Sequence, residues 1–192
     1  MMAFKGTTKD MTATYGRGIF QYELGKKVTE EKSKTFSTGL HCAEYALDCL
    51  KWYPLSKDSR FFLVEAAGSI DEETSDSKIA CTEMTLIREL TVKELAGYGM
   101  MYMVKYPRRE WHVGSCGLSL GETAEGYGER SIAIARGKDP RVRGKAGHIC
   151  GLILEPEEGV ITAARLFVAG EDAKADTWYT LNEERELVEV GE

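Results

Sequence analysis

Nine of the chain's 20 glycines fall between Gly114 and Gly151. Inside a helix each would cost about 1 kcal/mol relative to alanine, so this stretch is predicted to consist of turns and short strands. Between Leu118 and Gly144 the glycines close short fragments: Ser119-Leu120-Gly121, Ala124-Glu125-Gly126, Ala135-Arg136-Gly137 and Val142-Arg143-Gly144. That is the pattern of a shrunken solenoid, in which each coil turns at glycine and points small or apolar side chains inward. Such coils cannot bury their inner face alone. The section is therefore expected to lean on the N-terminal half or on a second copy of the chain. Downstream, Ile149–Leu154, Val160–Ala169, Thr177–Leu181 and Glu186–Val190 are predicted to form a small antiparallel sheet.

The first half carries stronger periodicities. Arg60–Ala67 (RFFLVEAA) is aromatic and β-branched and is predicted to be a strand. Lys78–Leu86 alternates with one slip, which predicts a strand with a bulge, and Met2–Gly6 is a shorter candidate. Ile19–Glu23 and Lys27–Val28 flank Gly25 as a possible hairpin. From Cys42 to Tyr53 apolar residues recur at 42, 46, 49, 50 and 53, one face of an amphipathic helix, and Pro54 stops it. Thr91 and Glu94 form a capping box ahead of a second helix reaching about Val104. The chain thus reads as α+β: an N-terminal mixed α/β domain with two helices over residues 1–105, then a mostly β region over 106–192. In that region glycine-rich solenoid-like turns lead into the antiparallel sheet.

Charge narrows the function classes. The 192 residues carry 25 basic and 31 acidic side chains, net −6, whereas a general nucleic-acid binder is usually basic. No apolar run approaches the ~20 residues of a membrane helix, and Lys5, Lys9 and Asp10 interrupt any secretory apolar core at the N-terminus. Five widely spaced cysteines without a CxxC motif fit reduced thiols in a cytoplasm. Cys42 and Cys49 fall on the apolar face of the first predicted helix and read as core. His112 with Cys116 and His148 with Cys150 have zinc-ligand chemistry but unlike spacings, so no metal site is expected.

Two surface features stand out. Arg136, Lys138, Arg141, Arg143 and Lys145 place five cations in ten residues, offset only by Asp139; this patch could grip an anionic partner, although a solvated turn is the simpler reading. The second predicted helix is apolar nearly all round. With Trp111 just beyond it, Tyr98, Met101 and Tyr102 are candidates for a subunit interface in a homo-oligomer.

Phe4-Lys5-Gly6, Arg17-Gly18, Phe20-Gln21-Tyr22-Glu23, Gly25-Lys26, the run GLHCAEYALDCLKWYP over residues 39–54, and Ala175–Leu181 (ADTWYTL) carry a resemblance. Together they resemble an uncharacterised domain family of bacteriophages, prophages and gut bacteria. Its members resemble a β-solenoid of short repeats between the two blocks, shortened here to residues 128–147. A fainter likeness is to ADP-ribosyltransferase-type folds, through the order of Phe4-Lys5-Gly6, Gly39–Ala43 and Arg60–Ala67. That likeness implies that Lys5 and His41 face a nicotinamide and that Tyr22 stacks on it, with NAD as cofactor. The glutamate such enzymes require is unplaced among Glu23, Glu44 and Glu65. The expectation is a non-enzymatic, self-associating phage-type binding or assembly protein in the bacterial cytoplasm. The alternatives are an NAD-using transferase and an anti-defence protein that inhibits a host immune component.

Overall fold

Along Ser59–Glu72 the side chains alternate between a dry and a wet face. Phe62, Val64 and Ala66 are fully buried, and Glu65 between them is exposed. The computed structural model describes residues 1–14, 18–35, 37–72, 77–109 and 117–191, which divide into two compact units, Met1–Thr91 and Val92–Glu192.

The first unit is built on antiparallel strands. These are β1 (Met2–Thr8), β2 (Thr12–Ala13), β3 (Phe20–Gln21), β4 (Lys27–Thr29), β5 (Leu40–Ala43), β6 (Ser59–Glu72) and β7 (Lys78–Leu90). β6 pairs with β1 on one edge and β7 on the other, and β5 bridges β7 to β1, so β6–β7–β5–β1 closes on itself. β4 adds to β7 beyond β5. β6 and β7 shift register between Leu63 and Val64 and between Ala67 and Ile70, which lets two long strands bend around the core. Inside lie Ala3, Leu40, Cys42, Phe62, Val64, Ile79, Cys81, Met84 and Leu86. Burying a side chain of Phe, Leu or Met size stabilises the fold by about 1.5–3 kcal/mol.

The second unit contains α1 (Val92–Lys105) and β8 (Leu118–Gly121), β9 (Thr123–Glu125), β10 (Ile132–Gly137), β11 (Arg141–Arg143), β12 (Ile149–Leu154), β13 (Ala163–Val168), β14 (Trp178–Leu181) and β15 (Leu187–Val190). One sheet runs β13-β12-β10-β8 and the other β15-β14-β11-β9. β8, β10 and β12 are parallel, as are β9 and β11; β13, β14 and β15 join antiparallel. Ala124, Ala133 and Ala135 meet Val142, Cys150, Leu152, Phe167 and Tyr179 in the core of this unit. β10 is buried on both faces, as a parallel strand covered on both sides must be. Its other cover includes α1: a Cβ on Gly151 would lie 2.6 Å from Met100 Sδ and 3.1 Å from Ile134 Cγ1. Bare backbone is what lets the helix approach there.

These observations correct the expected fold class. Strands make up 50% of the chain and helices 11%, and the expected N-terminal mixed α/β domain with two helices is not formed. The first predicted helix is a 3-10 turn, Ala46–Lys51. β5 draws Leu40–Ala43 into the ladder and Pro54 bars the downstream end, so the helical period survives only as this short turn between them. The second helix, α1, lies in the second compact unit, where it supplies part of the cover that the glycine-rich section needed. The four late segments are not one antiparallel sheet, because β12 and β13 belong to one sheet and β14 and β15 to the other. The predicted hairpin is also absent: β3 pairs with β2, and β4 with β7.

Candidate functional site

Strand alternation puts a lysine where a core residue belongs. Residues 3, 5 and 7 of β1 face the same side, and Ala3 and Thr7 are fully buried. Lys5 lies opposite Phe62 in the ladder and is only 6% exposed. Its Nζ donates to the His41 carbonyl at 2.9 Å. It sits 5.3 Å from the Tyr22 ring centroid and 6.0 Å from that of Tyr53. Among the described residues it forms no ion pair with a carboxylate.

Lys5 lines a cleft of about 720 Å³, together with Tyr22, His41, Cys42, Trp52, Tyr53 and Lys78. Asp48 and Cys49 of the 3-10 turn and Glu30, beyond β4, also reach it. Close approach shapes the floor: a Cβ on Gly6 would lie 2.5 Å from Tyr53 Cδ2. Tyr22 is buried, and its ring lies 4.9 Å from that of Phe20. Lys78 stacks over Trp52 at 4.3 Å. Asp48 Oδ2 accepts from Ser77 Oγ at 2.5 Å, and its Oδ1 lies 3.1 Å from Lys51 Nζ.

The electrostatics of the cleft follow from dryness. Burial pushes the Lys5 ammonium below the ordinary lysine range. Burial also lowers His41, and Lys78 and Lys5 add to the effect; its Nε2 is buried without a partner among the described residues. Two of the three thiols around Lys5 are pushed up, while Cys81, which shares a hydrogen bond with Cys42, is shifted down. Burial pushes Cys49 up to about 12. A hydrogen bond shared with Cys81, together with burial, holds Cys42 well above the usual thiol range. Cys81 spends its own proton on the Leu40 carbonyl at 3.4 Å.

The structure thus brings Lys5, Tyr22 and His41 to one cleft. Sequence reasoning missed Trp52, Tyr53, Asp48, Lys78 and Glu30. The first three lie in the 39–54 run and were read as parts of a helix; Lys78 and Glu30 join only through pairing across β7. Of the carboxylates considered from sequence, Glu23 pairs with Lys26 at 2.9 Å and Glu65 is exposed on β6, and neither these nor Glu44 lines the cleft.

The cations at 136–145 are dispersed. Arg136 is buried and bidentate on Glu155, at 2.5 and 2.7 Å, and also donates to the Pro107 carbonyl. Arg143 pairs with Glu125 at 2.9 Å and stacks on Trp178 at 4.7 Å. Lys138, Arg141 and Lys145 are exposed. On α1, Met101 is exposed, and Tyr98 and Tyr102 are half-buried; Trp111, His112 and Cys116 lie outside the described residues. His148 is buried, accepting from Lys145 N and meeting the Gly128 carbonyl. No set of three His, Cys, Asp or Glu side chains among the described residues is placed to hold a metal ion. No helix among them is long and apolar enough to cross a membrane.

Residues 1–97, which contain every residue of the cleft, match the family described as a domain of unknown function, DUF7666. No curated protein sequence matches the chain.

Proposed function

We propose, for a chain that belongs to the DUF7666 family of domains of unknown function, that its N-terminal unit is a binding module for a small planar ligand whose oxygen acceptor meets Lys5. One observation carries this reading: a buried amine without a carboxylate partner among the described residues lies between two tyrosine rings in a 720 Å³ cleft. Burying a charge without compensation is costly. An anionic or acceptor group entering the cleft removes that cost, and the rings of Tyr22, Tyr53 and Trp52 offer flat surfaces for stacking. Binding without turnover is the simplest activity such a site requires. Calorimetry with 2-naphthoate and its neutral amide tests it. The acid is expected to bind 1:1 and about tenfold or more tighter than the amide, a gain of about 1.4 kcal/mol, and Lys5→Met is expected to erase the difference. Equal or absent binding of both compounds overturns the reading.

A second reading, NAD-using transfer, draws support from the gathering of Lys5, Tyr22 and His41 in one cleft. Glu30 is then the candidate to stabilise an oxocarbenium-like transition state. Turnover of NAD that Glu30→Gln abolishes would establish it. Self-association through α1 rests on the exposed Met101 and Val104, and light scattering decides it. A phage or prophage setting in a bacterial cytoplasm, and a host protein as partner, follow from the resemblance alone; co-purification from infected cells tests them.

A further inference from the structure

We propose that Lys5 captures an aldehyde, forming a reversible imine with a planar aldehyde ligand inside the N-terminal cleft. This rests on the binding reading above and names the ligand's oxygen acceptor as the carbonyl oxygen of an aldehyde, whose carbon then meets the amine.

Four observations converge. The amine is held in place, since Lys5 Nζ donates to the His41 carbonyl at 2.9 Å. That bond uses one of its N–H groups and leaves the rest of the nitrogen for a ligand. No carboxylate among the described residues pairs with it. Of the two described carboxylates lining the cleft, Asp48 is engaged by Ser77 and Lys51, and Glu30 lies at the exposed margin. The groups facing the amine are Cys42 of β5, Cys49 of the 3-10 turn, Cys81 and Lys78 of β7, Tyr22 and Tyr53. A hydrogen bond to Cys81 together with burial raises Cys42, burial raises Cys49, and the bond from Cys42 lowers Cys81. Burial, opposed in part by the three thiols and aided by the Lys78 charge, favours the free amine, the form with a lone pair. Finally, the aromatic walls suit a conjugated, planar aldehyde.

The chemistry closes without an oxidant. The Lys5 nitrogen attacks the aldehyde carbon, and the carbonyl π pair moves to oxygen, which takes a proton from water. The nitrogen loses one proton to water, the hydroxyl is protonated and leaves as water while the nitrogen lone pair forms C=N, and the resulting iminium returns its remaining N–H proton to solvent. The sum is amine plus aldehyde to imine plus water.

The test uses the full chain with 2-naphthaldehyde at neutral pH, reduction by cyanoborohydride, and peptide mapping. Lys5 is expected to be labelled about tenfold or more beyond the exposed Lys57, because the cleft holds the aldehyde beside an amine whose free form burial favours. Excess 2-naphthoate should block this label. Lys5→Met should remove it, and Lys57→Ala should leave it unchanged. Labelling spread over exposed lysines, or an unlabelled Lys5, overturns imine capture. If 2-naphthoate still binds in that case, the cleft reading survives; if it does not, both readings fall together.

Discussion

Each unit buries a basic side chain, and the two are treated in opposite ways. In the second unit, Arg136 is buried beside Glu155, which holds it through two hydrogen bonds, and His148 is fully enclosed with a backbone partner for each ring nitrogen. In the first unit, Lys5 is buried with one carbonyl for company, beside three thiols and two tyrosines. Compensated polar groups hold a structure together, while an uncompensated one costs stability that something else must offset. The contrast is what the proposed ligand site in the closed antiparallel ring rests on.

The most damaging way to test that contrast is to break the compensated pair. Glu155→Ala leaves the buried Arg136 without its carboxylate partner, and should cost about 3–5 kcal/mol. Hydrogen exchange across Ile132–Leu154 should accelerate strongly, read by mass spectrometry. If exchange there is unchanged, the second unit does not depend on that pair. Next, Gly6→Ala forces a Cβ to within 2.5 Å of Tyr53 Cδ2. It should cost about 1–3 kcal/mol by denaturant titration and weaken 2-naphthoate binding, because the ring that moves is a wall of the cleft.

A smaller effect, of opposite sign, is expected at the uncompensated group. Lys5→Met should raise stability by about 1 kcal/mol at neutral pH, since it removes a poorly satisfied buried donor. The pH dependence supplies a check. Lys5 is a base whose folded pKa lies below the ordinary 10.5. Between those two values the unfolded chain binds more protons, so stability rises with pH across that window; the penalty is full below it and vanishes above it. Cys49 acts in the opposite direction. Its thiol, pushed up to about 12, keeps its proton when the unfolded chain loses it above 9.0, so stability falls from there. Wild type should therefore gain relative to Lys5→Met as alkalinity increases, while both lose the thiol contribution. A constant difference between the two would remove Lys5 as a titrating group. The least effect is expected from Arg143→Ala. It loses a half-exposed ion pair with Glu125 and a stack on Trp178, together worth about 1 kcal/mol or less, measurable by thermal melting.

Particular elements show how far the amino-acid order could be read. Arg60–Ala67 announced β6 because its alternation and its β-branched and aromatic content agree, and Thr91 with Glu94 announced the start of α1. Lys5, Tyr22 and His41 came together by resemblance, not by spacing. The 39–54 run misled because its helical period is real while β5 takes its first residues into hydrogen bonds with β1 and β7. A ladder partner dozens of residues away leaves no local mark. Asp48, Lys78 and Glu30 were invisible as site residues for the same reason.

By itself the sequence determined that the glycine-rich stretch, described from Gly117 to Gly151, would not be helical, that Arg60–Ala67 would be a strand, and that a helix would follow Thr91. These are local matters, decided by backbone sterics and side-chain period within a few residues. Only the tertiary structure decided that α1 would sit in the unit with the parallel ladders, and that the GLHCAEYALDCLKWYP run would split between a strand and a short 3-10 turn. It also decided that an unremarkable lysine would face inward. Burial is a property of register and ring closure between distant strands, and it turns Lys5 from a surface charge into an enclosed amine whose ammonium form is disfavoured.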